Sequence, residues 1–136
     1  MRFEIADKSY YPFILERDKH MCKSLIMRKL KDKEFIIAIN EQEQAVGWLR
    51  YGYFWDLFPF MNMLYFDDAY RNKGHGRKLV AFWEAEMRAM GHKQVMTSSQ
   101  SNEDAQHFYR KLGYKDSGSL LMDIDPALEI IFTKKL

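Results

Sequence analysis

Residues 70–77 read Tyr70-Arg71-Asn72-Lys73-Gly74-His75-Gly76-Arg77, and they stand between an apolar run, FMNMLYF at 60–66, and a helical pattern over 74–90. The helix carries Leu79, Val80, Trp83, Met87 and Met90 on one stripe. A helix N-terminus leaves backbone N–H groups unpaired and holds the positive end of the helix dipole, so it suits an anion. Glycines let that backbone come close to a phosphate, and Arg71, Lys73 and Arg77 add positive charge around the same concavity. Gly76 falls on the stripe of Leu79, Val80 and Trp83, where a missing side chain lets the helix sit tight on a sheet. The segment reads as a pyrophosphate cradle. It matches neither GxxxxGK[ST] nor GxGxxG, since position 79 is Leu.

A second segment, SNEDAQHFYRKLGY at 101–114, reads as a short helix over 103–112. Asn102 is its expected N-cap, Glu103 and Asp104 bring acid to the first turn, and Gly113 closes it. Ala105, Phe108 and Leu112 form the expected core stripe. Asn102, Gln106 and Tyr109 fall on a neighbouring face, so Asn102 and Tyr109 are expected to point at one ligand.

Working outward, RFEIA at 2–6 alternates as a strand, and Ser9 is the expected cap of a helix over 10–20 with Pro12 in its first turn. Met21, Leu25, Ile26 and Leu30 mark a second helix, whose basic residues between 23 and 33 read as a solvated face. The period then changes to two: strands at 34–40 and 45–55 form a hairpin, and Pro59 interrupts before a third strand at 60–66. That strand is apolar along nearly its whole length, so it is expected in mid-sheet with both faces covered. Strands at 94–98, 114–124 and 127–134 complete the pattern. The order predicts one α+β domain over residues 1–136 with a mixed sheet.

Composition sets the bounds. The 136 residues match one ordinary domain, and 21 Lys and Arg against 19 Asp and Glu leave a net charge of +2, too little for a protein that binds nucleic acid through bulk charge. The single Cys22 cannot form an internal disulfide, and no Cys/His cluster has zinc-site spacing, so a reducing cytoplasmic setting without a metal is expected. No run has the length of a signal peptide's apolar core or of a membrane span. Nine of the 21 aromatic rings crowd into residues 48–66.

Together, YRNKGHG and NEDAQHFYRKLGY resemble the GCN5-related N-acetyltransferase (GNAT) family. The first matches the family's [RQ]-x-x-G-x-[GA] loop at Arg71, Gly74 and Gly76. The second matches its N-x-x-A-x-x-F-Y-x-[KR]-x-G-[FY] signature at Asn102, Ala105, Phe108, Tyr109, Lys111, Gly113 and Tyr114. The resemblance implies a three-layer fold, with helices on both faces of a mostly antiparallel sheet that splays between strands 4 and 5. It also implies direct transfer of an acetyl group from acetyl-CoA to an amine. By the same resemblance Leu64, Tyr65 and Phe66 would pair with the pantetheine arm through their backbone, with the Phe66 N–H meeting the thioester carbonyl. The N–H groups of Asn72, Lys73, Gly74, His75, Gly76 and Arg77 would hold the pyrophosphate, and Asn102 would touch the pantetheine. Tyr109 would face the thiol, where a phenol with a pKa of about 10 is protonated at neutral pH and suits a general acid.

The base is less plainly written. Family members often place a Glu on or near the fourth strand, but here the strand reads MNMLYFDD, which leaves Asp67 and Asp68, and either equally suits capping the following turn. Tyr51, Tyr53, Trp55 and Asp56 precede that strand and would bind a cationic acceptor by ring faces and a carboxylate; the same rings equally suit a contact between two copies of the chain. The leading expectation is an N-acetyltransferase acting on a small-molecule or peptide amine. The alternative is a domain of this fold that binds CoA as a sensor or partner module without turnover. Binding to nucleic acid or membrane is not expected.

Overall fold

A computed structural model describes residues 1–123 and 127–136. The chain runs β1 (Arg2–Ile5), a 3-10 turn (Lys8–Tyr10), α1 (Tyr11–Arg17), α2 (Lys23–Lys31), β2 (Phe35–Ile39), β3 (Ala45–Phe54) and β4 (Phe58–Phe66). A second 3-10 turn (Asp68–Tyr70), α3 (His75–Ala89), β5 (Gln94–Gln100), α4 (Ala105–Lys111), β6 (Lys115–Leu120) and β7 (Glu129–Lys135) follow. The strands form one seven-stranded sheet in the order β1-β2-β3-β4-β5-β7-β6, mostly antiparallel, with β4 and β5 parallel. The mixed α+β architecture expected from the element order is the one found. Residue 124, the end of the expected sixth strand, lies outside the described residues.

The residues gather into two compact units, Met1–Tyr51 with Met63–Trp83, and Gly52–Asn62 with Glu84–Leu136. In the first, all five residues of β2 are buried, and because successive side chains point to opposite faces, both faces of that strand are covered. This is the covering expected of β4, which instead exposes Asn62 and leaves Met63, Leu64 and Tyr65 half-buried. Pro59 sits inside β4 and does not interrupt before it. One core joins Ile14, Ile26, Leu30, Phe35, Ile37 and Trp48, with Trp48 held between Phe13 at 5.9 Å and Tyr65 at 4.6 Å. Asp18 ends α1, its N–H donating to the Ile14 carbonyl at 2.7 Å, while its wholly buried carboxylate accepts from Arg50 Nε at 2.8 Å. Ser9 is not a helix cap. Asp7 caps the preceding 3-10 turn by accepting from the Ser9 N–H at 2.8 Å, and α1 begins at Tyr11.

Gly47 of β3 fixes the approach of the neighbouring strand. A Cβ there would lie 2.6 Å from the Phe66 ring and 2.7 Å from the Tyr65 carbonyl oxygen, and backbone cannot yield as a flexible side chain does. Gly47→Ala is therefore expected to destabilise the protein by about 1–3 kcal/mol, the usual cost of overpacking. The midpoint of urea unfolding would report it; an unchanged midpoint would show that β4 adjusts freely.

In the second unit β7 pairs with β5 from Gln94↔Lys135 to Gln100↔Glu129, and the parallel ladder of β4 with β5 is short, pairing Phe60 with Met96 and Met61 with Thr97. Glu84 of α3 is buried, and its carboxylate accepts from the Tyr114 hydroxyl at 2.9 Å and from Lys134 Nζ at 3.0 and 2.9 Å. Burial and this carboxylate together push the Tyr114 phenol far above its ordinary value. The α4 helix ends as expected at Gly113, with φ +90°. Tyr114 N–H donates to Tyr109 O at 3.1 Å and Gly113 N–H to Arg110 O at 3.1 Å, the paired bonds of a glycine-closed helix end. Its start differs from expectation. Asp104, not Asn102, occupies the N-cap, without a side-chain capping bond, and Asn102 stands exposed in the turn before it. That turn is satisfied from elsewhere: Gln106 Nε2 donates to the Ser101 and Glu103 carbonyls, and Glu103 Oε1 accepts from the Gln100 N–H.

Candidate active site

In the first unit the end of β4 leads through a short loop into the start of α3. Asp67 N–H donates to the Val46 carbonyl of β3 at 2.9 Å. Backbone groups alternate along a strand, so the N–H groups of Leu64 and Phe66 turn to the other edge of β4. Phe66 is buried, with Gly47 packed beneath it. After the 3-10 turn the chain passes through the left-handed region at Asn72 (φ 57°) and Gly74 (φ 81°), which aims the first turn of α3. Nothing lies within 4 Å of where a Gly74 Cβ would be, so the concavity before the helix is open. The Lys78 N–H closes the first helical bond on Gly74 O at 3.3 Å. The N–H groups of His75, Gly76 and Arg77 therefore stand in the first turn, where a helix has no partner of its own to offer.

The side chains of the loop divide into two sets. Arg71 is engaged: Nε donates to the Phe66 carbonyl at 2.7 Å, Nη1 meets Asp68 at 2.7 Å, and the guanidinium lies 4.7 Å from the Tyr65 ring centre. It braces the loop against the strand. Lys73 and Arg77 are exposed, and neither has an ion-pair partner among the described residues. The His75 ring turns inward, 6.0 Å from Phe66 and 6.4 Å from Tyr70, and its loss of water together with nearby Lys78, the N-terminus and Lys73 lowers the imidazole pKa. Its backbone is what faces the concavity. Asp67 makes no side-chain cap to its turn and lies 3.6 Å from Arg17 Nε, while the Asp68 carboxylate is taken by Arg71.

In the second unit Tyr109 is the buried residue of α4, 7% exposed, against Tyr114 at 5.8 Å and Phe132 at 6.0 Å. Ala105, Phe108 and Leu112, the expected stripe, are each only half-buried, and Tyr109 takes the buried place in the helix. Burial pushes the Tyr109 phenol up from its ordinary value, the Thr97 hydroxyl opposing and Glu103 reinforcing that shift. Asn102, exposed, does not share this environment.

The residues expected at the acceptor site part company. Tyr51 is a core residue of the first unit, 5% exposed and 5.8 Å from Trp83. Trp55 and Asp56 form the tight turn between β3 and β4, with φ 55° and 60°, closed by Leu57 N–H on Phe54 O at 3.0 Å. Trp55 is 73% exposed and stacks on Phe54 at 5.0 Å. Tyr53 lies 5.7 Å from His92 and lines a pocket of about 440 Å³ with Phe54, Phe60, Asn62, Ser98 and Leu120. Met122, Glu129 and Ile131 complete the wall. Sequence reading missed Glu129; the available signal was a lone carboxylate opening the otherwise apolar strand EIIF.

Residues 3–114 match the model of the acetyltransferase (GNAT) family. The chain belongs to that family. Among solved structures, a GNAT-family acetyltransferase from Bacillus cereus superposes with a TM-score of 0.78 at 19% identity, covering 98% of this chain and 96% of that one. The ribosomal-protein-alanine N-acetyltransferase of Brucella melitensis gives 0.82 at 17% identity over the whole of both chains. An aminoglycoside 6'-N-acetyltransferase solved with coenzyme A gives 0.77 at 16%, covering 99% and 97%. A search of curated proteins found no match.

Proposed function

We propose that the protein is an acetyl-CoA-dependent N-acetyltransferase that moves the acetyl group directly to a primary amine. The observation that carries this reading is the open left-handed turn at Asn72–Gly74 feeding the first turn of α3, flanked by the uncommitted cations Lys73 and Arg77. It fits the pyrophosphate of CoA by geometry and charge. Leu64 and Phe66 hold the pantetheine arm through N–H groups on the edge of β4 away from β3, and the Phe66 N–H meets the charge that develops on the thioester oxygen. A preorganised donor at that place is worth about 2.7–4 kcal/mol of barrier in acyl transfer. Tyr109, whose raised pKa keeps it protonated, returns a proton to the departing thiolate.

The acceptor's ammonium form first loses a proton to solvent; the neutral amine then attacks the thioester carbon, the C–S bond breaks with its electron pair on sulfur, and the second proton released from nitrogen also passes to solvent. Asp67, held by Arg17, is not given the base role. That commitment favours the second reading, a CoA-binding module without turnover; release of free CoA thiol in the presence of an amine separates the two. For the loop, the double reversal Lys73→Glu/Arg77→Glu is expected to weaken acetyl-CoA binding at least about tenfold, from loss of two charge-assisted contacts of roughly 1.5–3 kcal/mol each before screening by water at these exposed positions. Calorimetric titration measures it, and equal affinity in the variant would remove the loop from the site.

A further inference from the structure

The pocket of Tyr53, Phe60, Ser98, Glu129 and Ile131 lies in one unit with Tyr109, and strand register fixes their relation. Thr97 pairs with Phe132, and Tyr109 lies against Phe132 at 6.0 Å. The next pair, Ser98 with Ile131, must present its side chains to the opposite face, as must Glu129, two residues from Ile131. Likewise Met61 gives its carbonyl to the Thr97 hydroxyl at 2.9 Å, while Phe60 and Asn62, its neighbours on β4, line the pocket. The pocket and Tyr109 therefore flank the short β4–β5 junction from opposite faces of the sheet.

The wall of the pocket is largely apolar, from Tyr53, Phe54, Phe60, Leu120, Met122 and Ile131. Asn62 and Ser98 are its neutral polar members, and Tyr53 and Glu129 its titratable ones. Among the described residues no lysine, arginine or histidine pairs with the Glu129 carboxylate. A half-buried carboxylate amid apolar surface is stabilised by a cation, and aromatic faces add to that attraction. About 440 Å³ is toward the small end of ligand pockets, whose range is roughly 300–1,000 Å³.

We infer that this pocket receives the acceptor, that its occupant is a single ammonium group carried on a compact apolar body, and that Glu129 is the residue that binds the ammonium. The inference rests on the N-acetyltransferase reading and narrows it. One carboxylate in an apolar wall disfavours a polyamine, whose further cations would have no partner. A free monoamine and the N-terminus of a peptide with an apolar first residue share the required chemistry.

The test compares 2-phenylethylamine, a tetrapeptide beginning with Met, and spermidine as acceptors at saturating acetyl-CoA, with binding of 2-phenylethylamine and of the peptide followed independently by amide shifts of Ser98 and Ile131. The monoamine or the peptide is expected to exceed spermidine at least about tenfold in kcat/KM, and the better of the two identifies the source. Glu129→Gln should raise the KM for that acceptor about tenfold and leave the KM for acetyl-CoA unchanged, with Glu129→Asp recovering most of the loss. A merely structural role for Glu129 would move both KM values or neither. A preference for spermidine, an unchanged acceptor KM in Glu129→Gln, or no binding of either 2-phenylethylamine or the peptide to the pocket would overturn the inference. Amine binding to the pocket without acetyl-CoA binding would instead overturn the enzyme reading and leave the pocket assignment standing.

Discussion

Tyr109→Phe is expected to lower kcat about 100-fold, some 2.7 kcal/mol of barrier, with little change in affinity for acetyl-CoA. The substitution keeps the ring that packs on Tyr114 and Phe132 and removes only the hydroxyl beside Thr97, so fold and cofactor binding survive. The pH dependence has a definite sign. Burial raises the phenol above its ordinary value, so the acid form persists through neutral pH, and the wild type loses turnover only in alkaline solution beyond the ordinary range of a phenol. The same shift means that the neutral phenol contributes to stability below the unfolded pKa, a contribution lost as pH rises through the higher folded one. Steady-state kinetics with both substrates varied would report the effect. A kcat equal to wild type would assign Tyr109 to packing alone.

Asp18→Ala carries the largest expected cost in stability. Asp18 is wholly buried and is the ion-pair partner of Arg50, itself nearly buried on β3, so the variant strands a guanidinium away from water. Removing one member of such a pair costs about 3–5 kcal/mol, a large part of the roughly 5–15 kcal/mol that holds a domain together. Replacing both, as Asp18→Leu with Arg50→Met, is expected to recover most of the loss, because the cost lies in the unmatched charge and not in the absence of the pair. Urea unfolding of the three variants distinguishes these cases. A single variant as stable as wild type would show that water reaches Arg50.

The sequence made the site's nearest parts legible because backbone chemistry there depends on residue type. Glycine enters positive φ without the cost other residues bear, so Gly74 marked the loop and Gly113 the end of α4. Helix and strand periods located the elements, but neither period says which covered strand carries the core. FMNMLYF at 60–66 is the longer run and FIIAI at 35–39 the shorter, yet β2 is the strand buried on both faces and β4 exposes Asn62.

Phe108 and Tyr109 are adjacent on α4, and a shift of one residue along a helix turns the face by a little over a quarter of a turn. Composition could not decide which ring is buried; the pairing of β5 with β7, which places Phe132 under α4, does. The same holds for Asp18 with Arg50 and for Glu84 with Tyr114 and Lys134, partners brought together from 30 to 50 residues apart. Glu129 was out of reach for that reason too. Its meaning comes from Phe60, Asn62 and Ser98, which only the sheet sets around it.

Catalysis itself is measured directly with the unmodified protein. Wild-type protein is incubated with acetyl-CoA and a primary amine, free CoA thiol is followed with time, and the amine is weighed by mass spectrometry. Thiol release is expected to depend on both substrates, to run in step with an amine heavier by one acetyl group, and to be strongly slowed in Tyr109→Phe. Tight binding of acetyl-CoA with no acetylated product from small or peptide amines would contradict catalysis and leave a CoA-binding module in its place.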